Sequence, residues 1–111
     1  MMQKQIDRKP LIKVSMNHRT VSSVDVHQIT FEASQVTGKH THPCPVVGYI
    51  AKGAARFQIE GQPVQELPEG SAFYEPADTV ILRFDNASDS EPMTFIAYYL
   101  LDGHQDLIRM L

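Results

Sequence analysis

The apolar residues of this chain fall in segments only a few residues long, and in one of them they alternate with polar residues at period two, while VDVHQITF (24–31) has mixed periodicity. In ARFQIEG (55–61), Ala55, Phe57 and Ile59 alternate with Arg56, Gln58 and Glu60, the pattern of a half-buried antiparallel strand. VVGYIAKG (46–53) leads straight into it. PVQEL (63–67) follows a short EGQ turn, so 54–60 and 63–67 predict a hairpin. LIKVSM (11–16), VDVHQITF (24–31), SAFYE (71–75), TVILRF (79–84) and MTFIAYYL (93–100) bring the set to about eight strands. Gly38, Gly48, Gly53, Gly61 and Gly70, with Pro43, Pro45, Pro63, Pro68 and Pro76, cut the middle of the chain into pieces too short for ordinary helices. DNASDSEP (85–92) reads as a surface loop, and DGHQDLIRML (102–111) predicts a short helical tail after Asp102. Short strands, tight turns and no long helix imply an all-β fold, a small barrel or double-sheet sandwich.

The chain is 111 residues long, enough for one domain and too short for a second catalytic module. Its division is a basic N-terminal arm over 1–23 containing an edge strand, a β body over 24–101 and a tail over 102–111. At this size a modest share of surface is buried, which favours a homodimer. The arm and strand 11–16 are the expected contact, since an edge strand offers unpaired backbone groups.

Charge refines the picture without changing the class. Residues 1–19 carry Lys4, Arg8, Lys9, Lys13 and Arg19 against Asp7 alone, while the formal net charge of the whole chain is -3. A basic arm lying over an acidic surface explains this better than a polyanion-binding tail, which needs a denser cluster. The overall balance argues against a nucleic-acid partner. No apolar run reaches the roughly 20 residues of a membrane span. The start lacks the apolar stretch of a signal peptide, so a cytoplasmic location is expected. Cys44, the single cysteine, excludes an intrachain disulfide framework.

Candidate chemistry gathers in Gly38-Lys39-His40-Thr41-His42-Pro43-Cys44-Pro45. In an extended segment His40 and His42 share a face, and two imidazoles at that spacing can hold a transition-metal ion. Polar surface histidines are the plain alternative. His18, His27 and His104 have no partner at ligand spacing.

The run HTHPCPVVGYIAKG resembles the first motif of the cupins, small double-stranded β-helix (jelly-roll) barrels, with His40 and His42 at its paired histidines and Gly53 at its terminal glycine. GSAFYEPADTVILRFDN is similar to the second, with Gly70 and Pro76 in place. Three departures stand out. The family's ligand glutamate falls at Val46 or Val47, its third histidine at Ile81, and a turn glycine at Asp78. The resemblance implies one divalent transition metal (zinc, iron, nickel or manganese) on two of its four usual ligands. Cys44 is a further donor candidate, or else a small buried hydrophobe. Glu75 and Asp78 can each offer a carboxylate, or remain solvated turn residues.

Val46 and Ile81 in ligand positions predict an interior more apolar than that of a metal-bearing relative. Tyr49, Glu75 and Arg83 complete the expected ligand pocket, Arg83 because it shares the parity of Ile81 and offers a fork to an anion. A rim arginine paired with Glu60 or Asp85 is the alternative. No phosphate-binding loop, dinucleotide fingerprint or nucleophile elbow is present. The favoured reading is a binding module for a small organic ligand, with or without a metal. A metal-dependent oxygenase, isomerase or decarboxylase comes second and a structural assembly module third.

Overall fold

The structure, a computed structural model, describes residues 4–111. Nine strands follow in order: β1 (Ser23–Phe31), β2 (His40–Thr41), β3 (Val46–Lys52), β4 (Ala55–Ile59), β5 (Gln65–Leu67), β6 (Ala72–Glu75), β7 (Ile81–Asn86), β8 (Met93–Leu101) and β9 (Arg109–Met110). They form two antiparallel sheets in the orders β1-β8-β3-β6 and β5-β4-β7-β2-β9. The fold is all-β and of the jelly-roll kind. The sheets stay separate instead of closing into one hydrogen-bonded barrel. No helix is present among the described residues, so none is long and apolar enough to cross a membrane.

Period-two burial explains how the sheets meet. In β8, Met93, Phe95, Ala97 and Tyr99 are buried while the residues between them are at least partly exposed. The inward faces of β3, β4 and β6 add Val46, Ile50, Ala55, Phe57 and Phe73. All five phenylalanines of the chain sit in this core. Phe73 and Phe84 lie 4.8 Å apart between ring centroids, as do Phe84 and Phe95. Those separations suit tilted aromatic packing. Gly48 makes room for it, because a Cβ built there would stand 2.0 Å from Cζ of Phe73.

Two expectations about the elements need correction. Residues 11–16 form no strand; the segment has no partner strand, and it is mostly exposed. The arm's first three residues lie outside the described ones. The tail is not helical, because Met110 and Arg109 pair with His40 and Thr41 as β9, an edge strand. The predicted hairpin does form, with Ala55, Arg56 and Phe57 opposite Leu67, Glu66 and Gln65.

β7 carries an irregularity that matters for the site. Gln58 pairs with Arg83 but Ile59 pairs with Ile81, leaving Leu82 as an extra residue. Such a bulge shifts the alternation by one position. Ile81 and Phe84 are therefore both buried, and Arg83 is exposed.

Candidate metal centre

β2 is only two residues long, yet it places the histidines. His40 and His42 are buried and flank the half-buried Thr41, as an extended segment requires. Their rings are edge to face, with centroids 4.9 Å apart. Each ring is fixed through Nδ1. His40 Nδ1–H donates to the Gly38 carbonyl at 2.7 Å, and His42 Nδ1–H donates to the Leu107 carbonyl at 2.6 Å. A carbonyl only accepts, so both rings carry a proton on Nδ1, and Nε2 is the atom that a neutral ring can offer to a metal.

Both Nε2 atoms face the same oxygen. Glu75 Oε2 lies 3.7 Å from His40 Nε2 and in closer contact with His42 Nε2. The three donor atoms all lie within 4.8 Å of one another, and all three residues are buried. Glu75 Oε2 takes no well-formed hydrogen bond there. A buried carboxylate with an unsatisfied oxygen is costly, on the order of several kcal/mol, unless a cation compensates it. The donor set of two neutral imidazoles and one carboxylate suits a divalent first-row transition metal.

The electrostatics run the same way. Burial alone would push the Glu75 carboxyl up, but the two imidazoles facing it outweigh burial and hold it below the usual carboxylate range. For His40, burial would lower the pKa, and the Glu75 carboxylate with the Gly38 carbonyl raises it instead. Glu75 and His40 each favour the charged form of the other, and a bound cation would take over that role.

The triad borders a cavity of about 160 Å³ between the sheets. Ile29, Phe31, Val46, Phe95 and Ile108 make much of its wall apolar, and Tyr99 adds a phenol. Burial pushes the Tyr99 hydroxyl up to about 12, helped by Glu75 and, at the alkaline pH where a phenol ionises, by Cys44, with Asp25 adding to it, so it stays neutral.

The sequence-predicted residues divide accordingly. His40, His42, Val46 and Glu75 come together at the cavity. Cys44 does not join the donor cluster; it is wholly buried in the core, where burial raises its thiol pKa. Asp78 is exposed and outside the cluster. Its φ of 57° shows why a glycine was expected there, and its amide donates to the His42 carbonyl at 2.8 Å. Tyr49 lies on the outer face of its sheet, because Val46, Gly48 and Ile50 already take the inward positions of β3. Ile81 pairs with His40 and is buried in the core, not on the cavity wall. Arg83 is turned outward by the bulge.

Glu75 had a readable signal, since alternation in AFYE puts this acid on the same face as Phe73. It also sits directly across the β3–β6 pair from Val46, one of the two positions where the glutamate was expected. Here a carboxylate stands on the strand beside that position. Leu107 and Ile108 were legible only as an apolar tail, because their role depends on a pairing between distant segments.

Comparison with known proteins places this geometry. The chain superimposes on DMSP lyase DddQ from Ruegeria pomeroyi with a TM-score of 0.68 and 19% identity, over 79% of this chain and 43% of that one. A cupin-like protein from Thermotoga maritima gives a TM-score of 0.68 and 23% identity, over 79% and 64%. Oxalate decarboxylase from Bacillus subtilis gives 0.67 and 22%, over 79% and 23%. The chain thus spans less than two thirds of the length of each, and at these identities the likeness is one of fold. A sequence search of curated proteins finds no match. Residues 27–101 match the family model of the cupin domain, a span holding both histidines, Glu75 and most of the two sheets. The chain belongs to the cupin family.

Proposed function

We propose that this protein binds one divalent transition metal through His40, His42 and Glu75, and a small oxygenated organic ligand in the adjoining cavity. The observation that carries the reading is the convergence of two Nδ1-anchored imidazoles on the unsatisfied Glu75 oxygen at the wall of an apolar cavity. Three protein donors leave further positions on a metal open, which is what an exchangeable ligand needs. When bound, the metal supplies Lewis acidity at a ligand oxygen.

The ligand's character follows from the walls. A cavity near 160 Å³ admits a molecule of about benzene size. Phe31, Val46 and Phe95 would contact its apolar part, and the neutral Tyr99 hydroxyl is suited to an oxygen on it. Two relatives in fold are named as a DMSP lyase and an oxalate decarboxylase, which supports a small-molecule ligand over a macromolecular one. A catalytic role is the second reading, favoured by the two-histidine, one-carboxylate donor set with room beside it.

A homodimer is part of the proposal. The outer face of the four-stranded sheet carries a row of Val26, Tyr98, Val47 and Tyr74, one residue from each strand. Such an apolar row is suited to a second copy.

The deciding experiment is metal analysis of untagged protein, with zinc, iron, nickel and manganese reconstitution. Near-stoichiometric metal that disappears in the double substitution His40→Ala, His42→Ala is the expected result. Absence of metal after reconstitution with all four ions would overturn the metal-centred reading.

A further inference from the structure

The two histidines are held by very different parts of the chain. His40 bonds to a carbonyl two residues away, whereas His42 bonds to Leu107, 65 residues away. The next residue, Ile108, lines the cavity and is 40% exposed, so it stands at the cavity mouth. One dipeptide of the C-terminal segment thus touches a donor ring with its backbone and the ligand space with its side chain.

Few contacts keep that dipeptide in place. β9 pairs with β2 through Met110 and Arg109, and the Leu111 amide donates to the Lys39 carbonyl at 3.0 Å. Upstream, Gln105 Nε2 donates to the Pro43 carbonyl at 3.1 Å. Leu107 packs part-buried against the core. Both anchors grip the His40–Pro45 segment that carries the histidines, and so fix the dipeptide relative to them.

We propose that Leu107 and Ile108 complete the site: the Leu107 carbonyl positions His42, and the Ile108 side chain sets the size of ligand the cavity accepts. This deepens the metal-and-ligand reading above and rests on it. Leu107 is a positioning residue, acting through His42. A hydrogen-bond partner of this kind typically changes metal affinity 10- to 100-fold. Size discrimination by an apolar wall is sharp, since about one methylene in a pocket is worth roughly tenfold or more.

Two sets of variants test the two halves. Deletion of residues 107–111 removes the carbonyl, while Leu107→Ala keeps it and loses only packing. Zinc affinity, measured by chelator competition, should fall about 10- to 100-fold in the deletion and less than about threefold in Leu107→Ala. Nitrogen NMR of the imidazoles in the intact, metal-free chain should show His42 protonated on Nδ1. Unchanged zinc affinity in the deletion, or a His42 without a proton on Nδ1, would overturn the positioning role. If the deletion does not fold, the NMR of the intact chain decides.

For Ile108, benzoate and propionate are the probes, followed by calorimetry. Ile108→Ala should improve benzoate binding relative to propionate by roughly tenfold, and Ile108→Trp should abolish benzoate binding. Equal benzoate-to-propionate ratios in all three proteins would overturn the size role. Wild-type protein that binds neither zinc nor either acid fails the parent reading instead, and the His42 tautomer still reports on Leu107.

Discussion

Glu75 is a charged group placed where a hydrophobe would serve packing better. Its strand neighbour on the inward face is Phe73, and its opposite number across the sheet is Val46. What makes its ionised form tolerable is the pair of Nε2 atoms before it. Glu75→Gln keeps the shape and removes the charge, so metal affinity should fall at least about tenfold while the far-ultraviolet spectrum is retained. Titration of the variant with manganese or zinc checks this, and wild-type affinity in Glu75→Gln would remove the carboxylate from the donor set. Tyr99 gives a prediction about pH. Its hydroxyl is raised from 10 to about 12 in the fold, so the folded state holds its proton more tightly than the unfolded chain. That contribution is fully present below about pH 10 and is lost as pH rises from there towards 12. The loss is on the order of 3 kcal/mol at most, less whatever partial exposure screens. Urea unfolding at pH 8 and pH 10.8 should show a steeper decline for wild type than for Tyr99→Phe. Parallel declines would mean that the phenol is not protected.

Strands were legible where one face is buried and the other wetted. β4 follows the alternation read from the sequence, and β1, β3, β6 and β8 fall on segments read as strands; each lies in a sheet with a single buried face. Legibility failed where pairing, not pattern, decides. β2 and β9 have two residues each, too few to show a period, and exist because each completes the other's hydrogen bonds. The bulge at Leu82 is likewise invisible in TVILRF, and it alone turns Arg83 outward. The histidine pair was legible from spacing. Its carboxylate was only half so, since Glu75 is near in space and 33 residues away from His42 in sequence. Gly48 shows how tightly β3 and β6 are fitted. The Phe73 ring that a Cβ would strike is packed among Phe57, Phe84 and Phe95, so it has no direction in which to retreat. Gly48→Ala should therefore destabilise by about 1–3 kcal/mol, the usual cost of overpacking a core. Denaturant midpoints check it, and a loss below about 0.5 kcal/mol would mean that the aromatic cluster has slack.

The proposed dimer rests on which faces the sheets leave uncovered. The inner faces meet around the aromatic core and the cavity, and the five-stranded sheet shows a more polar outer side, with Arg56, Gln58 and Arg83 on it. The outer side of the four-stranded sheet is different. Val26 and Tyr98, paired with each other, are 53% and 40% exposed, and Val24 and Tyr49 nearby are 52% and 38% exposed. Contiguous apolar surface of this kind on a small domain marks an interaction site. Isologous packing of this face on itself brings together side chains that carry no charge, so no like-charge repulsion opposes it. Residues 4–22 of the basic arm, expected to supply the contact as an added strand, are in no sheet, which leaves the sheet face as the better support for a dimer. The double substitution Val26→Glu, Tyr98→Glu sets four carboxylates against one another across such an interface. Sedimentation at tens of micromolar should show a dimer for wild type and a monomer for the double variant. Metal affinity should be the same in both, since neither side chain borders the cavity. A wild-type chain that sediments as a monomer at those concentrations would leave this face without a second copy as its partner.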